Sequence, residues 1–307
     1  MADFDADLVT LSVPKAVEAT YVVTTSSPPD DIDAAALRAA ERLPEPIRTA
    51  VVQMLDTPLL SLQLMPADEA PPLPTHLLRV FGASPVQLGA AASASHVVVC
   101  QAVYRVAWPP VHEWHARGLA AALAQELNGT LVDAATPRLL ESRAALASLP
   151  GEDFRIALTR WILIPQSPDE GGVWLTTNGL DRYGLPELQV LDVPPELAAP
   201  WTAVLNGVAT ALLDTWYEAL EGQEEPPFVN LPAELIISSS DVAEAYGEPE
   251  PDPERNAGVR LRLDPPDDFD EQTFLTVEPT GDFDGSREDY LAQVCDDLFG
   301  DEPDDDF

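Results

Sequence analysis

Residues 95–133 read SHVVVCQAVYRVAWPPVHEWHARGLAAALAQELNGTLVD, and this stretch decides the fold. Ser95–Val106 is dense in β-branched and aromatic residues, the composition of a central strand. Trp108-Pro109-Pro110 breaks it, because proline has no amide proton to give to a ladder. A helix opens there and runs to Asn128, with Leu119, Leu123 and Leu127 repeating at four-residue spacing on one side. Asn128-Gly129 supplies a C-terminal cap, and Thr130–Asp133 returns as a strand. Strand, helix and strand of these lengths predict a right-handed parallel crossover.

Toward the N-terminus, residues 20–25 (TYVVTT) read as a short strand. Asp30, Asp31 and Asp33 stand where a helix cap and first-turn acids belong, ahead of AALRAAERL. Pro44 stops that helix and Pro46 opens a second, IRTAVVQML. Leu59–Met65 is a strand, ADEAPPLP a loop, and Gly89–Ser95 a small-residue linker.

Toward the C-terminus, Arg138–Leu149 reads as a helix closed by Pro150-Gly151. Ala157–Ile164 and Val173–Thr177 flank the turn-rich PQSPDEGG, which predicts a hairpin. Glu187–Val193 is a further strand. From about Pro200 to Leu220 a long helix carries Trp201, Val204, Leu205, Val208, Leu212, Trp216 and Leu220 on one stripe. Beyond it, Glu234–Ser238, Val259–Leu263 and Thr273–Val277 read as strands. Ser286–Phe299 is a helix with Ser286 as its cap and Asp289 three residues on. The fold class is α+β: a mixed sheet with packed amphipathic helices, then a small acidic β–β–α extension. The expected divisions are an N-terminal α/β segment over 1–92, a central core over 93–225, an acidic subdomain over 226–299 and a disordered tail over 300–307.

The 307 residues include 53 Asp and Glu against 16 Lys and Arg, a formal charge of −37. Direct nucleic-acid binding by phosphate neutralisation needs clustered cations, and docking on an anionic membrane needs the same; neither is expected. No apolar run approaches the roughly 20 residues of a membrane helix, and the acidic start MADFDADLVT is unlike a signal peptide. The expectation is a cytoplasmic protein. The charge is uneven: residues 221–307 hold 27 acidic groups and four arginines. Lys15 is the only lysine, which together with 31 prolines and alanine tracts fits a coding bias. A salt-adapted solvent shell and a functional acidic surface are the other readings.

Catalytic signals are sparse. His112-Glu113-Trp114-His115 places two histidines three apart, whereas zincin chemistry wants them four apart. His96 or Asp133 would complete a metal set with His112 and His115; the plainer reading is two half-buried histidines at a helix start. Asp282-Phe283-Asp284-Gly285 offers two acids of a calcium loop with the glycine misplaced. No nucleophile elbow and no phosphate-binding glycine loop occurs, and Cys100 lies in an apolar strand where a thiol is inert. No cofactor is implied. The most unusual string is TTNGLDRYGLPEL, residues 176–188. Gly179 and Gly184 bracket a tight turn that Arg182 and Glu187 flank, as ligand contacts or as a structural pair.

That string resembles the T-x-G-L-x-x-[Phe/Tyr]-G-x-x-Glu-Leu stretch of a bacterial domain family of unknown function. Met65-Pro66, the strand from Ser95 to Val99 and the hairpin around Trp161 match it too, so the resemblance spans roughly 60–220. It implies an α+β accessory or immunity-type domain and hands over no catalytic residues. The leading expectation is a non-catalytic protein that docks a basic protein partner through acids including Asp267, Asp268, Asp270, Glu271, Asp282 and Asp284, with Arg182 and Glu187 as further contacts. A metal-dependent hydrolase built on His96, His112, His115 and Asp133, and an acidic nucleic-acid mimic, are the alternatives.

Overall fold

The structure is a computed structural model that describes residues 7–55, 57–151, 155–266 and 272–300. In chain order the elements are β1 Leu8–Ser12, β2 Val17–Thr25, α1 Ile32–Ala40, α2 Ile47–Met54, β3 Leu60–Pro66, α3 Thr75–Val80, α4 Pro85–Ala92, β4 His96–Tyr104, α5 Val111–Glu126, β5 Thr130–Asp133, β6 Arg138–Leu140, α6 Ser142–Ala147, β7 Gln166–Pro168, β8 Val173–Thr176, β9 Glu187–Val193, α7 Ala198–Leu220, β10 Phe228–Pro232, β11 Glu234–Ser238, α8 Ser239–Tyr246, β12 Asn256–Asp264, β13 Phe274–Glu278 and α9 Arg287–Phe299. The chain divides into two compact units, one of residues 15–155 and one of residues 1–14 with 156–307.

The unit of residues 15–155 is built on a five-stranded sheet in the order β3-β4-β2-β5-β6. Every neighbouring pair in it is antiparallel. Because β4 and β5 each run against β2, they run parallel to one another with β2 between them. The expected parallel crossover is therefore present, with β2 lying between its two strands. Inserting β2 gives both of them an antiparallel partner, whose ladder is slightly more stable per residue.

Helix α5 crosses one face of this sheet and is buried from His112 through Ala124 without a break. Helices α1, α2 and α6 pack on its other sides. Such burial explains why its leucines alone do not make a stripe: a helix covered all round has no solvent face to keep polar. Leu119 and Leu123 are fully buried, and each such side chain stabilises by about 1.5–3 kcal/mol. The segment expected to be one helix over 138–149 is instead strand β6 followed by the short α6, capped by the Glu141 carboxylate on the Ala144 amide.

The other unit carries a six-stranded sheet, β11-β12-β13-β9-β8-β7, and a two-stranded pair, β1-β10. The large sheet is mixed: β13 and β9 are parallel and the remaining pairs antiparallel. Helix α7, 23 residues and about 34 Å long, packs on β8, β9 and β11. Trp201, Val204, Leu205, Val208, Leu212 and Trp216 of the predicted stripe are its buried face. Both indoles also find acceptors, Trp201 on the Leu291 carbonyl at 2.9 Å and Trp216 on the Tyr183 carbonyl at 3.1 Å. This matters because an unmatched buried N–H is costly. The β–β–α stretch β12, β13, α9 is present and is joined to β9 through β13.

The expected boundaries at 92/93 and 225/226 fall inside these sheets, the first between β3 and its partner β4, the second between β9 and its partner β13. The hairpin is also shifted. Leu158–Arg160 is a 3₁₀ turn, and β7 (Gln166–Pro168), part of the string expected to be a turn, pairs with β8. The expected tail falls almost wholly outside the described residues. No helix among the described residues is long and apolar enough to cross a membrane.

Candidate functional site: an acidic helix pair and a caged carboxylate

Gly207 on α7 lets α8 come close: a Cβ built there would lie 2.7 Å from Val242 Cγ2. Small residues at helix contacts permit such approach. About two turns further along, Asp214 and Glu218 face the acids of α8, Asp241 and Glu244. The Asp214 carboxyl is pushed up to about 6, first by burial and then by the charges of Glu244, Asp241 and Glu218. The residue keeps an exposed edge, and the like charges add to the larger effect of burial. Asp241 is held by the capping box of α8, its Oδ2 accepting from the Ser238 amide at 2.6 Å and from the Ser238 hydroxyl at 2.8 Å. These four carboxylates sit on ordered helices and repel one another, an arrangement that a cation would relieve.

Glu187, at the start of β9, is the centre of the unusual turn and is 3% exposed. Its Oε1 accepts from the amides of Gly179 at 2.7 Å, Leu180 at 3.0 Å and, weakly, Asp181 at 3.4 Å, while Oε2 accepts from the Thr177 hydroxyl at 2.6 Å. Three consecutive amides converge on one oxygen because Gly179 takes φ +116° and Gly184 closes the 3₁₀ turn at φ +83°. Burial pushes the Glu187 carboxyl up, and the donated hydrogen bonds pull against it. Arg182 in the same turn is 2% exposed. Both expected contact residues are thus interior groups, and Glu187 holds its own turn together. Asp282 and Asp284 are exposed, in the turn before α9. Asp267, Asp268, Asp270 and Glu271 lie outside the described residues.

The four residues of the hydrolase alternative do not form one set. His96 and Tyr104 occupy opposite ends of β4, eight residues and about 26 Å apart. His115 is beside Tyr104, its Nδ1 3.1 Å from the tyrosine oxygen, while His96 contacts the Ser95 hydroxyl at 3.0 Å. Burial holds His115 down to about 4, so the ring is neutral near pH 7. His112 packs on the same tyrosine, ring centroids 6.3 Å apart. Asp133 accepts from the Thr136 amide at 3.2 Å and hydroxyl at 2.8 Å, with Arg138 at 3.8 Å. Among the described residues no group of three His, Cys, Asp or Glu side chains is placed to hold a metal ion. Nearby, the Tyr21 hydroxyl donates to buried Glu113 at 2.7 Å, which draws the start of α5 onto β2.

The acidic helix pair does not emerge from the sequence reading, which contains no helix over 239–246. A signal for α8 exists in Ser238 followed three residues later by Asp241, and in Gly247, which closes the helix at φ +70°. Comparison with protein-family models, with curated proteins and with solved structures yields no match.

Proposed function

We propose that this is a non-catalytic binding protein of regulatory or immunity type, which docks a basic protein partner through an ordered acidic surface. The observation that carries this reading is the α7–α8 carboxylate group, where Asp214 is raised to about 6 by burial and by neighbours on two fixed helices. Free carboxylates on a mobile chain would move apart; these are held together, and folding tolerates the repulsion. Several of the chain's own arginines are already engaged. Arg38, Arg42, Arg48, Arg138, Arg260 and Arg262 each pair with a carboxylate already. A partner's cationic patch approaching this surface gains rate from long-range attraction, and the gain falls as salt screens it.

Pull-down from a lysate at about 20 mM and at about 300 mM salt tests this. Retention of a basic protein at low salt and its release at high salt is the expected result. Retention of no protein at low salt overturns the reading.

A further inference from the structure

Phe283 and Tyr290 meet edge to face, their ring centroids 5.3 Å apart at 68°. They stand in a cleft of ≈ 420 Å³ between strand β11, the start of β12, the turn after β13 and helix α9. Tyr290 is 3% exposed and fixed by its hydroxyl, which donates to the Gly258 carbonyl at 3.1 Å, so half-buried Phe283 is the ring that the cleft presents. Three carboxylates line the same cleft, Glu234, Asp282 and Asp297. Glu234 accepts from the Gly281 amide at 3.0 Å and lies 3.8 Å from Arg260. Asp297 accepts one long bond, 3.4 Å, from Gln293. Asp282 is exposed and pairs with no other described residue.

The fourth wall is apolar. Ile236 is 76% exposed on β11, which ends the six-stranded sheet and, among the described residues, has a strand on one side only. Proteins usually guard an edge strand with charge or proline, since an apolar edge invites pairing with another chain. An uncovered isoleucine beside an aromatic pair and three acids is a combination that solvent exposure alone does not favour.

We propose that this cleft receives an arginine side chain from an extended basic segment of the partner, with Ile236 covering apolar atoms of the same segment. The inference rests on the acidic-docking reading above and gives it an address. A guanidinium is flat and weakly hydrated, so it can lie against an aromatic face while its N–H groups fork onto carboxylates. Its methylene stem packs on an exposed aliphatic residue such as Ile236. A lysine ammonium supplies the charge without the plane, so it fits less well.

The test uses the full chain and a fluorescein-labelled nonapeptide with arginine and valine alternating, read by fluorescence anisotropy at about 50 mM salt. Ile236 and Asp282 are exposed, so Ile236→Ser and Asp282→Asn leave folding intact, which circular dichroism verifies. The combined variant is expected to weaken binding about tenfold, and the lysine peptide to bind about threefold more weakly than the arginine one. Asp68→Asn with Glu69→Gln, two exposed carboxylates that belong to neither acidic group, is expected to change affinity less than twofold, while Asp214→Asn with Glu218→Gln reports on the α7–α8 group separately. Equal affinity of the cleft variant and the unchanged protein overturns the inference. If the α7 variant alone then loses binding, the basic partner docks elsewhere and the broader reading survives. Absence of any arginine-peptide binding also overturns the cleft, while the lysate pull-down still judges the broader reading by itself.

Discussion

Replacing Glu187 by alanine removes the acceptor on which the 177–188 turn is built. Two well-formed buried amides, Gly179 at 2.7 Å and Leu180 at 3.0 Å, lose their partner, as does the Thr177 hydroxyl at 2.6 Å. Each stranded buried donor costs about 1–3 kcal/mol. The Asp181 amide at 3.4 Å adds little, and Thr177 can turn to the Leu188 carbonyl, which it already approaches at 3.4 Å. Part of the loss is offset because the carboxylate no longer has to be desolvated. The net expectation is a loss of about 3 kcal/mol for Glu187→Ala and about 1 kcal/mol for Glu187→Gln, which keeps an acceptor oxygen at the same place. Urea titration followed by tryptophan fluorescence reads this well, since Trp161, Trp174, Trp201 and Trp216 all belong to the unit that contains the turn. The midpoint should fall by about 1–2 M for the alanine variant. A loss below about 1 kcal/mol would refute the idea that the carboxylate organises the turn. Equal losses for glutamine and alanine would place the effect in the charge, not in the acceptor geometry.

Three further outcomes are expected. Asp214 has a folded-state pKa of about 6 against 3.8 ordinarily, so the native state holds a proton that the unfolded chain releases. Stability should therefore fall as pH rises from about 4 to about 6, by about 1 kcal/mol once solvent screening is allowed for, and Asp214→Asn should flatten that slope in thermal melts. Gly129→Ala places a methyl 2.6 Å from the Thr24 carbonyl and 2.8 Å from Val23 Cγ1; a loss of about 2–3 kcal/mol is expected from such overpacking, and an unchanged melting temperature would contradict it. Burial pushes the Cys100 thiol up to about 12 and the Cys295 thiol up to about 11, so a disulfide reagent at pH 8 should label neither in the native protein and both in denaturant.

Long elements with one dominant period are the most legible in the sequence. The α7 stripe is an example, because burying one face of a 23-residue helix forces its apolar residues into register. The Ser286–Asp289 box likewise marks the start of α9, the Asp289 amide donating to the Ser286 hydroxyl and the Ser286 amide to the Asp289 carboxylate, each at 3.1 Å. Short elements are lost where composition masks a cap. Gly89–Ser95 has the small residues of a linker, yet Ser84, Pro85 and Gln87 form a capping box with proline in the first turn, and α4 runs through the glycine to Ala92. Strand pairing is the least legible feature. Nothing local in TYVVTT says that it will separate β4 from β5, since that choice belongs to the ladder as a whole. For the site, Glu187 stands out in its unusual string, but a string of letters does not tell an inward carboxylate from an outward one. The α7–α8 acids are hidden for a different reason: their meeting depends on a close helix approach at Gly207 that no spacing rule announces.

Among the described residues strand β1 has its only ladder partner in β10, with Leu8 opposite Pro232 and Ser12 opposite Phe228. At a synthesis rate of about 5–20 residues per second, β10 follows β1 from the ribosome after about 10–45 s. All of residues 15–155 emerges in that interval, so the intervening unit can finish folding while the first strand waits for its mate. The valine and leucine that β1 will later bury, Val9 and Leu11, are then open to whatever sticks to them. A ribosome-bound chain halted near residue 200 should accordingly engage chaperones through residues 8–12, and release them once translation passes β10.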